Sequence, residues 1–191
     1  MKTLVFCTHN SHKLTEVKSL LSDDYNIKGL IDIGCLDEIP ETSDTLEGNA
    51  KLKSSYVKVN FNLDCFSDDT GLEVKSLNME PGVFSARYAG PQRSSEDNVA
   101  KLLKELSTRN NRIARFRTAI SLIIGNEHHL FDGIVNGTIA TSPRGEGGFG
   151  YDSVFIPEGY NTTFAEMTHH EKNEISHRGL AVQKLVAFLS A

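Results

Sequence analysis

Lys2-Thr3-Leu4-Val5-Phe6-Cys7-Thr8, followed by His9-Asn10-Ser11-His12-Lys13-Leu14, decides how the rest of the chain is read. The first seven residues are a β-branched and aromatic run, a buried strand by pattern, and polar residues break it after Thr8. A helix then starts with Asn10 or Ser11 as its natural N-cap. Leu14, Val17, Leu20 and Leu21 form its apolar stripe, and it stops near Ser22-Asp23-Asp24.

Further along, a second strand is expected around Asn26 to Ile33. The polar Glu41-Thr42-Ser43-Asp44 precedes a helix from about Thr45 to Val59. Leu46, Ala50 and Val57 are its candidate buried stripe, while Thr45, Asn49 and Lys53 recur every four residues and share one polar face. Cys65-Phe66-Ser67 reads as a strand end running into Asp68-Asp69-Thr70-Gly71, with extended structure resuming at Leu72-Glu73-Val74. Pro81 to Pro91 reads as an irregular loop. Ser94 or Ser95 caps a helix with the stripe Val99, Leu102, Leu103 and Leu106.

Ala114 to Gly125 and Leu130 to Thr141 are β-rich runs joined by Asn126-Glu127-His128-His129, which predicts a long hairpin. Ser176 caps a final helix striped by Val182, Leu185, Val186 and Leu189, with His177, Arg178 and Gly179 in its first turn. An early βα order with a later antiparallel hairpin predicts an α/β fold with a mixed sheet and flanking helices. Its expected form is one domain over residues 1–191, with two lobes around a cleft.

The 191 residues, 39% hydrophobic and 24% charged, suffice for a globular core and argue against disorder. A net charge of −5 argues against a protein that coats nucleic acid, yet leaves room for lysines converging on a small anion. No apolar run approaches a membrane span, and the opening run is short for a signal peptide, so a cytoplasmic protein is expected. Cys7, Cys35 and Cys65 are odd in number and flanked by apolar residues, as core thiols are.

Three constellations carry chemical possibility. At Thr8 to Lys13, free N–H groups at a helix start and one lysine suit phosphate, although an ordinary capped helix explains the same residues; the glycines of a P-loop are absent. Glu41, Asp68 and Asp69 are hard oxygen donors of the kind that hold magnesium beside substrate phosphates, or take a proton from water. Read alone, Asp68-Asp69-Thr70-Gly71 is more simply a turn. Finally, Pro143 to Asp152 carries four glycines in ten residues and ends in Phe149-Gly150-Tyr151-Asp152. With Lys172, His177 and Arg178 it offers close backbone approach, a stacking ring and hydrogen-bond donors for a planar base, although Phe149 or Tyr151 serves equally as core.

Taken together, these blocks resemble the inosine/xanthosine triphosphate pyrophosphatase family. The resemblance rests on Thr8-His9-Asn10 with Lys13 and Glu16, Glu41 to Lys53, Ser67 to Leu72, and Pro81-Gly82-Val83-Phe84-Ser85-Ala86-Arg87-Tyr88-Ala89-Gly90. It continues through Gly147 to Asp152, Glu171-Lys172 and Ile175 to Gly179, in the same order and over nearly the whole chain. It implies a long twisted mixed sheet, a homodimer and a nucleotide in the cleft. It also implies Asp69 as proton acceptor, magnesium on Glu41 and Asp69, and Asp68 in support. By the same resemblance Thr8, His9, Asn10, Ser11, His12 and Lys13, with Lys53, surround the triphosphate, and Thr70 sits beside it. Phe149, Gly150, Tyr151 and Asp152 bind the base with Lys172, His177 and Arg178. Thr70 stands where the family commonly has Ser, and Ser153 where Pro often follows.

The implied reaction is attack of water on the α-phosphorus of ITP, dITP or XTP, releasing pyrophosphate. The competing readings are a pyrophosphatase for pyrimidine or modified nucleotides, and a nucleotide sensor without catalysis.

Overall fold

The computed structural model describes residues 2–21 and 25–190. The predicted helix end at Ser22 to Asp24 lies outside them. The chain is a mixed α/β fold, with strands β1 (Lys2–Phe6), β2 (Tyr25–Lys28), β3 (Cys65–Val74), β4 (Pro81–Gly82), β5 (Ile113–Ile124), β6 (Glu127–Ile139) and β7 (Phe155–Pro157). Among the described residues its α-helices are α1 (Ser11–Leu20), α2 (Leu46–Phe61), α3 (Ser95–Glu105), α4 (His169–Ile175) and α5 (His177–Leu189). The sheet runs β2-β1-β3-β5-β6-β7, with β4 antiparallel to β3. β1 pairs parallel with both β2 and β3, whereas β6 and β7 are antiparallel, so the sheet is mixed.

Contacts divide the chain into two compact units, neither continuous in sequence. The first comprises residues 1–69, 118–133 and 178–191, and the second 70–117 and 134–177. In the first unit β1 is buried on both faces from Leu4 onward. Leu4 and Phe6 join a cluster with Val17, Phe66, Ile120, Val182 and Leu185, while Val5 and Cys7 join one with Leu30, Cys35, Val57 and Cys65. This is the alternation a strand imposes on successive side chains. It explains an apolar run without gaps. The three cysteines are buried and unbridged. The second unit packs Leu72, Val74, Val99, Leu102, Phe116, Phe155 and Phe164 into one core.

Several expectations change. The strand predicted for Asn26 to Ile33 ends at Lys28, because the Asp32 carboxylate accepts from the Gly29 N–H at 2.8 Å and Ile31–Ile33 turns as a 3-10 helix. The hairpin loop is tighter than Asn126 to His129, since β6 begins at Glu127 and Gly125 takes a left-handed φ of 56°. The predicted turn at Asp68 to Gly71 is absent: β3 runs unbroken through it for ten residues. Turn composition loses there to burial on both faces. Helix α4 was not anticipated, although Thr168-x-x-Glu171 makes a complete capping box.

Leu102 is fully buried on α3 with its neighbours Val99 and Leu106. Leu102→Ala is expected to cost about 3 kcal/mol through lost burial and a residual cavity, seen as a lower urea midpoint; an unchanged midpoint contradicts this packing.

Candidate active site

Asp68 and Asp69 are neighbours on an extended strand, so their carboxylates leave on opposite faces. Ser67 and Asp69 face α2, where the Ser67 hydroxyl donates to the Ala50 carbonyl at 2.5 Å and Asp69 Oδ2 accepts from Asn49 Nδ2 at 3.0 Å. Asp68 faces α1 and α5. Its Oδ1 accepts from Lys13 Nζ at 2.8 Å and its Oδ2 from Arg178 Nε at 3.0 Å. Arg178 also donates from Nη1 to Glu16 at 2.5 Å.

Helix α2 starts at the predicted position, with Thr45 as N-cap accepting from the Gly48 N–H. Its polar face, Asn49 and Lys53, is buried rather than solvated. Lys53 Nζ donates to Glu41 Oε1 at 2.5 Å and lies 3.9 Å from Asp69 Oδ1. One ammonium therefore joins both carboxylates expected to hold a metal.

Electrostatics separate the two aspartates. Burial pushes Asp68 up, but Lys13, Arg178 and Lys53 outweigh it and hold its carboxyl well below the usual range. For Asp69 burial prevails, helped by the Glu41 charge against the pull of Lys53, and its pKa is raised. Burial opposes the charge of Lys53, yet Asp69, Glu41 and Asp68 raise its pKa; Glu41 in turn is lowered, mainly by Lys53 against its own burial. Lys13 is lowered, by burial first and then by Lys53 and Arg178.

At the start of α1, Asn10 is the N-cap: its Oδ1 accepts from the N–H groups of His12 and Lys13, so the helix end is already engaged there by side-chain oxygen. Thr8 Oγ1 accepts from the Asn10 N–H, His9 Nε2 lies 3.0 Å from the Cys35 carbonyl oxygen, and Ser11 and His12 are exposed on the first turn. Glu41 and Asp69 fit a hard divalent cation, which takes one or two carboxylates and completes its shell with water and substrate phosphate. A closed cage of three or more acidic, histidine or cysteine ligands is not found among the described residues.

In the second unit, Asp152 Oδ2 accepts from the Phe149 N–H and from Lys172 Nζ, both at 2.8 Å. Lys172 Nζ also lies 4.9 Å from the centre of the Phe149 ring. Gly148 and Gly150 have left-handed φ, and a Cβ on Gly148 would meet the Asp152 carboxylate. The glycines thus wrap the loop around one acid. His177 is buried with its ring stacked on Phe116 at 4.4 Å. Thr70 is half-buried on β3.

Two of the residues expected at the base also have partners of their own. Tyr151 is a core residue whose hydroxyl donates to the Ser85 carbonyl at 2.8 Å, so its ring belongs to the packing of the second unit. Arg178, grouped by sequence with Lys172 and His177, belongs to the first unit and bonds Glu16 and Asp68. Sequence reading gave no role to Glu16 or Asn49. The usable signal for Glu16 was its position one turn from Lys13, beside the apolar stripe of α1.

A sequence model of the Ham1 family matches residues 4–188. The chain belongs to the Ham1 family. A curated relative from Flavobacterium psychrophilum, named dITP/XTP pyrophosphatase, is 53% identical over 97% of this chain and 97% of its own. One of the same name from Porphyromonas gingivalis is 53% identical over 99% and 98%. The solved Ham1 protein of Staphylococcus aureus superposes with a TM-score of 0.90 at 39% identity, covering 99% of this chain and 98% of that one. Membership in the Ham1 family thus extends over the sequence and the mixed α/β fold alike.

Within this Ham1 chain, Asp68→Asn leaves Lys13 and Arg178 buried against a neutral amide and is expected to cost about 3–5 kcal/mol. The folded pKa of Asp68 lies below its unfolded value, so the deficit is full above about pH 4 and shrinks as acid approaches the depressed value. Urea unfolding of both proteins across that range reads it; equal stabilities at neutral pH contradict the anchoring role.

Proposed function

We propose that residues 1–191 work as one nucleoside triphosphate pyrophosphatase domain that hydrolyses non-standard purine nucleotides, ITP, dITP and XTP, to the monophosphate and pyrophosphate. The reading rests on the Glu41, Lys53, Asp69 cluster beside the anchored Asp68–Lys13 pair, in a chain whose relatives, matched over nearly their whole length, are named dITP/XTP pyrophosphatase.

Asp69 is the proton acceptor. In the metal-free protein burial and the Glu41 charge raise its pKa, whereas that of Asp68 is lowered. Water oxygen bonds to the α-phosphorus as the bond to the bridging oxygen breaks. The water proton passes to Asp69 and pyrophosphate departs. Lys13 and Lys53 place positive charge where the phosphates gain negative charge, and Thr8 to His12 line the same end. Asp68 is held as an anion by Lys13 and Arg178, so it orients the Lys13 ammonium rather than exchanging protons. Magnesium, when bound by Glu41 and Asp69, neutralises phosphate charge and polarises the reacting phosphoryl group.

Phe149, Gly150, Tyr151 and Asp152, with Lys172, His177 and Arg178, recognise the base, and Thr70 lies toward the phosphates. Hypoxanthine and xanthine present a 6-oxo acceptor, which a donor such as Lys172 satisfies; the 6-amino group of adenine leaves that donor unpaired. A cytoplasmic homodimer completes the proposal; among the described residues no helix is long and apolar enough to cross a membrane.

A pyrophosphate-release panel over natural and deaminated nucleotides, with and without magnesium, tests substrate class and metal together. ITP is expected to exceed ATP in kcat/KM by about 10⁴-fold; comparable values remove the base-selectivity account. Asp69→Asn is expected to lower kcat by about 10²–10⁴-fold, and a folded variant with wild-type turnover contradicts its role.

A further inference from the structure

Asn49 is fully buried four residues before Lys53 on α2. Its carboxamide makes two bonds that point in different directions. Oδ1 accepts from the backbone N–H of Ser43 at 2.8 Å, and Nδ2 donates to Asp69 Oδ2 at 3.0 Å. The orientation is determined by chemistry: a backbone N–H only donates, so it must face the oxygen, and a carboxylate accepts from the nitrogen.

Neither bond is required to start the helix. Thr45 already caps α2 by accepting from the Gly48 N–H, and the Asn49 N–H is bonded to the Thr45 carbonyl oxygen. The side chain instead joins two pieces of chain that each carry an acid. Ser43 lies two residues beyond Glu41, and Asp69 lies on β3. One turn further along the same helix face, Lys53 touches both acids.

We propose that Asn49 is a positioning residue for the pyrophosphatase reaction, holding the Asp69 carboxylate by its amide nitrogen and the Glu41 segment by its amide oxygen. This rests on the functional reading above. With Nδ2 on Oδ2, the carboxylate rotation of Asp69 is fixed and Oδ1 is turned toward Lys53. With Oδ1 on Ser43, the Glu41 segment is held at a set distance from that carboxylate. Partners of this kind orient the groups that take protons or bind ions, and their loss typically costs about 10–100-fold.

The test uses the 191-residue chain with two substitutions. Asn49→Ala removes both bonds; Asn49→Asp keeps the acceptor for Ser43 and replaces the donor to Asp69 with a second carboxylate oxygen. For both, kcat on ITP per folded molecule is expected to fall by about 10–100-fold, with KM within about threefold of wild type. Mn²⁺ binding to the nucleotide-free protein, read from the electron paramagnetic resonance of free Mn²⁺, is expected to weaken by about 10-fold or more for Asn49→Ala. Should Asn49→Ala fail to fold, the near-isosteric Asn49→Asp carries the kcat comparison. Wild-type kcat and Mn²⁺ affinity in the folded variants overturn the inference, because a merely structural asparagine would change stability alone. A wild-type protein that releases no pyrophosphate overturns the functional reading instead, and the Mn²⁺ comparison then still decides the role of Asn49.

Discussion

Everything at the acidic centre follows from β3 continuing straight through Asp68 and Asp69. A turn would have pointed both carboxylates in related directions and left them wet. An extended strand sends them to opposite faces, each covered by helix, and so gives two chemically identical neighbours different surroundings. Asp68 meets Lys13 and Arg178 and is fixed as an anion; Asp69 meets Asn49 and the edge of Lys53, beside another acid, and is the harder to keep charged.

Burying so many ions requires nearly complete pairing, and the first unit supplies it in two linked groups. Glu16, Arg178, Asp68 and Lys13 form one chain of contacts, and Glu41, Lys53, Asp69 and Asn49 the other. Such arrays add little net stability compared with apolar packing, but breaking one leaves a charge without compensation. Their value here is geometric. In the proposed reaction they hold the lysines that meet phosphate and the carboxylate that takes the proton in fixed places before any substrate arrives.

Local pattern made much of this legible. The β1 run, the Asn10 cap, the Thr45 start of α2 and the stripe of α3 all followed from periodicity and capping, because each is decided by residues close in sequence. Thr45, Asn49 and Lys53 were recognisable as one polar face. Asn49 and Lys53 are buried against the acids brought from positions 41 and 69, whereas Thr45 is exposed. The Asp68 to Gly71 stretch misled for a related reason: turn composition is a local preference, whereas strand continuity was imposed by flanking elements that sequence could not place. Tyr151 and Arg178 were legible by motif, whereas the partners they bond, Ser85, Glu16 and Asp68, were not, because they are distant in sequence. The kinship with Ham1 proteins was available early because seven short blocks in order carry more information than any one of them.

The central claim is that adjacent aspartates have opposite proton affinities and therefore opposite jobs. Carboxyl-carbon NMR titration of the metal-free protein, with both resonances assigned, measures this directly. The account predicts that Asp69 takes up its proton above the ordinary aspartate range and Asp68 only well below it. Coincident titrations, or Asp68 protonating first, would contradict it.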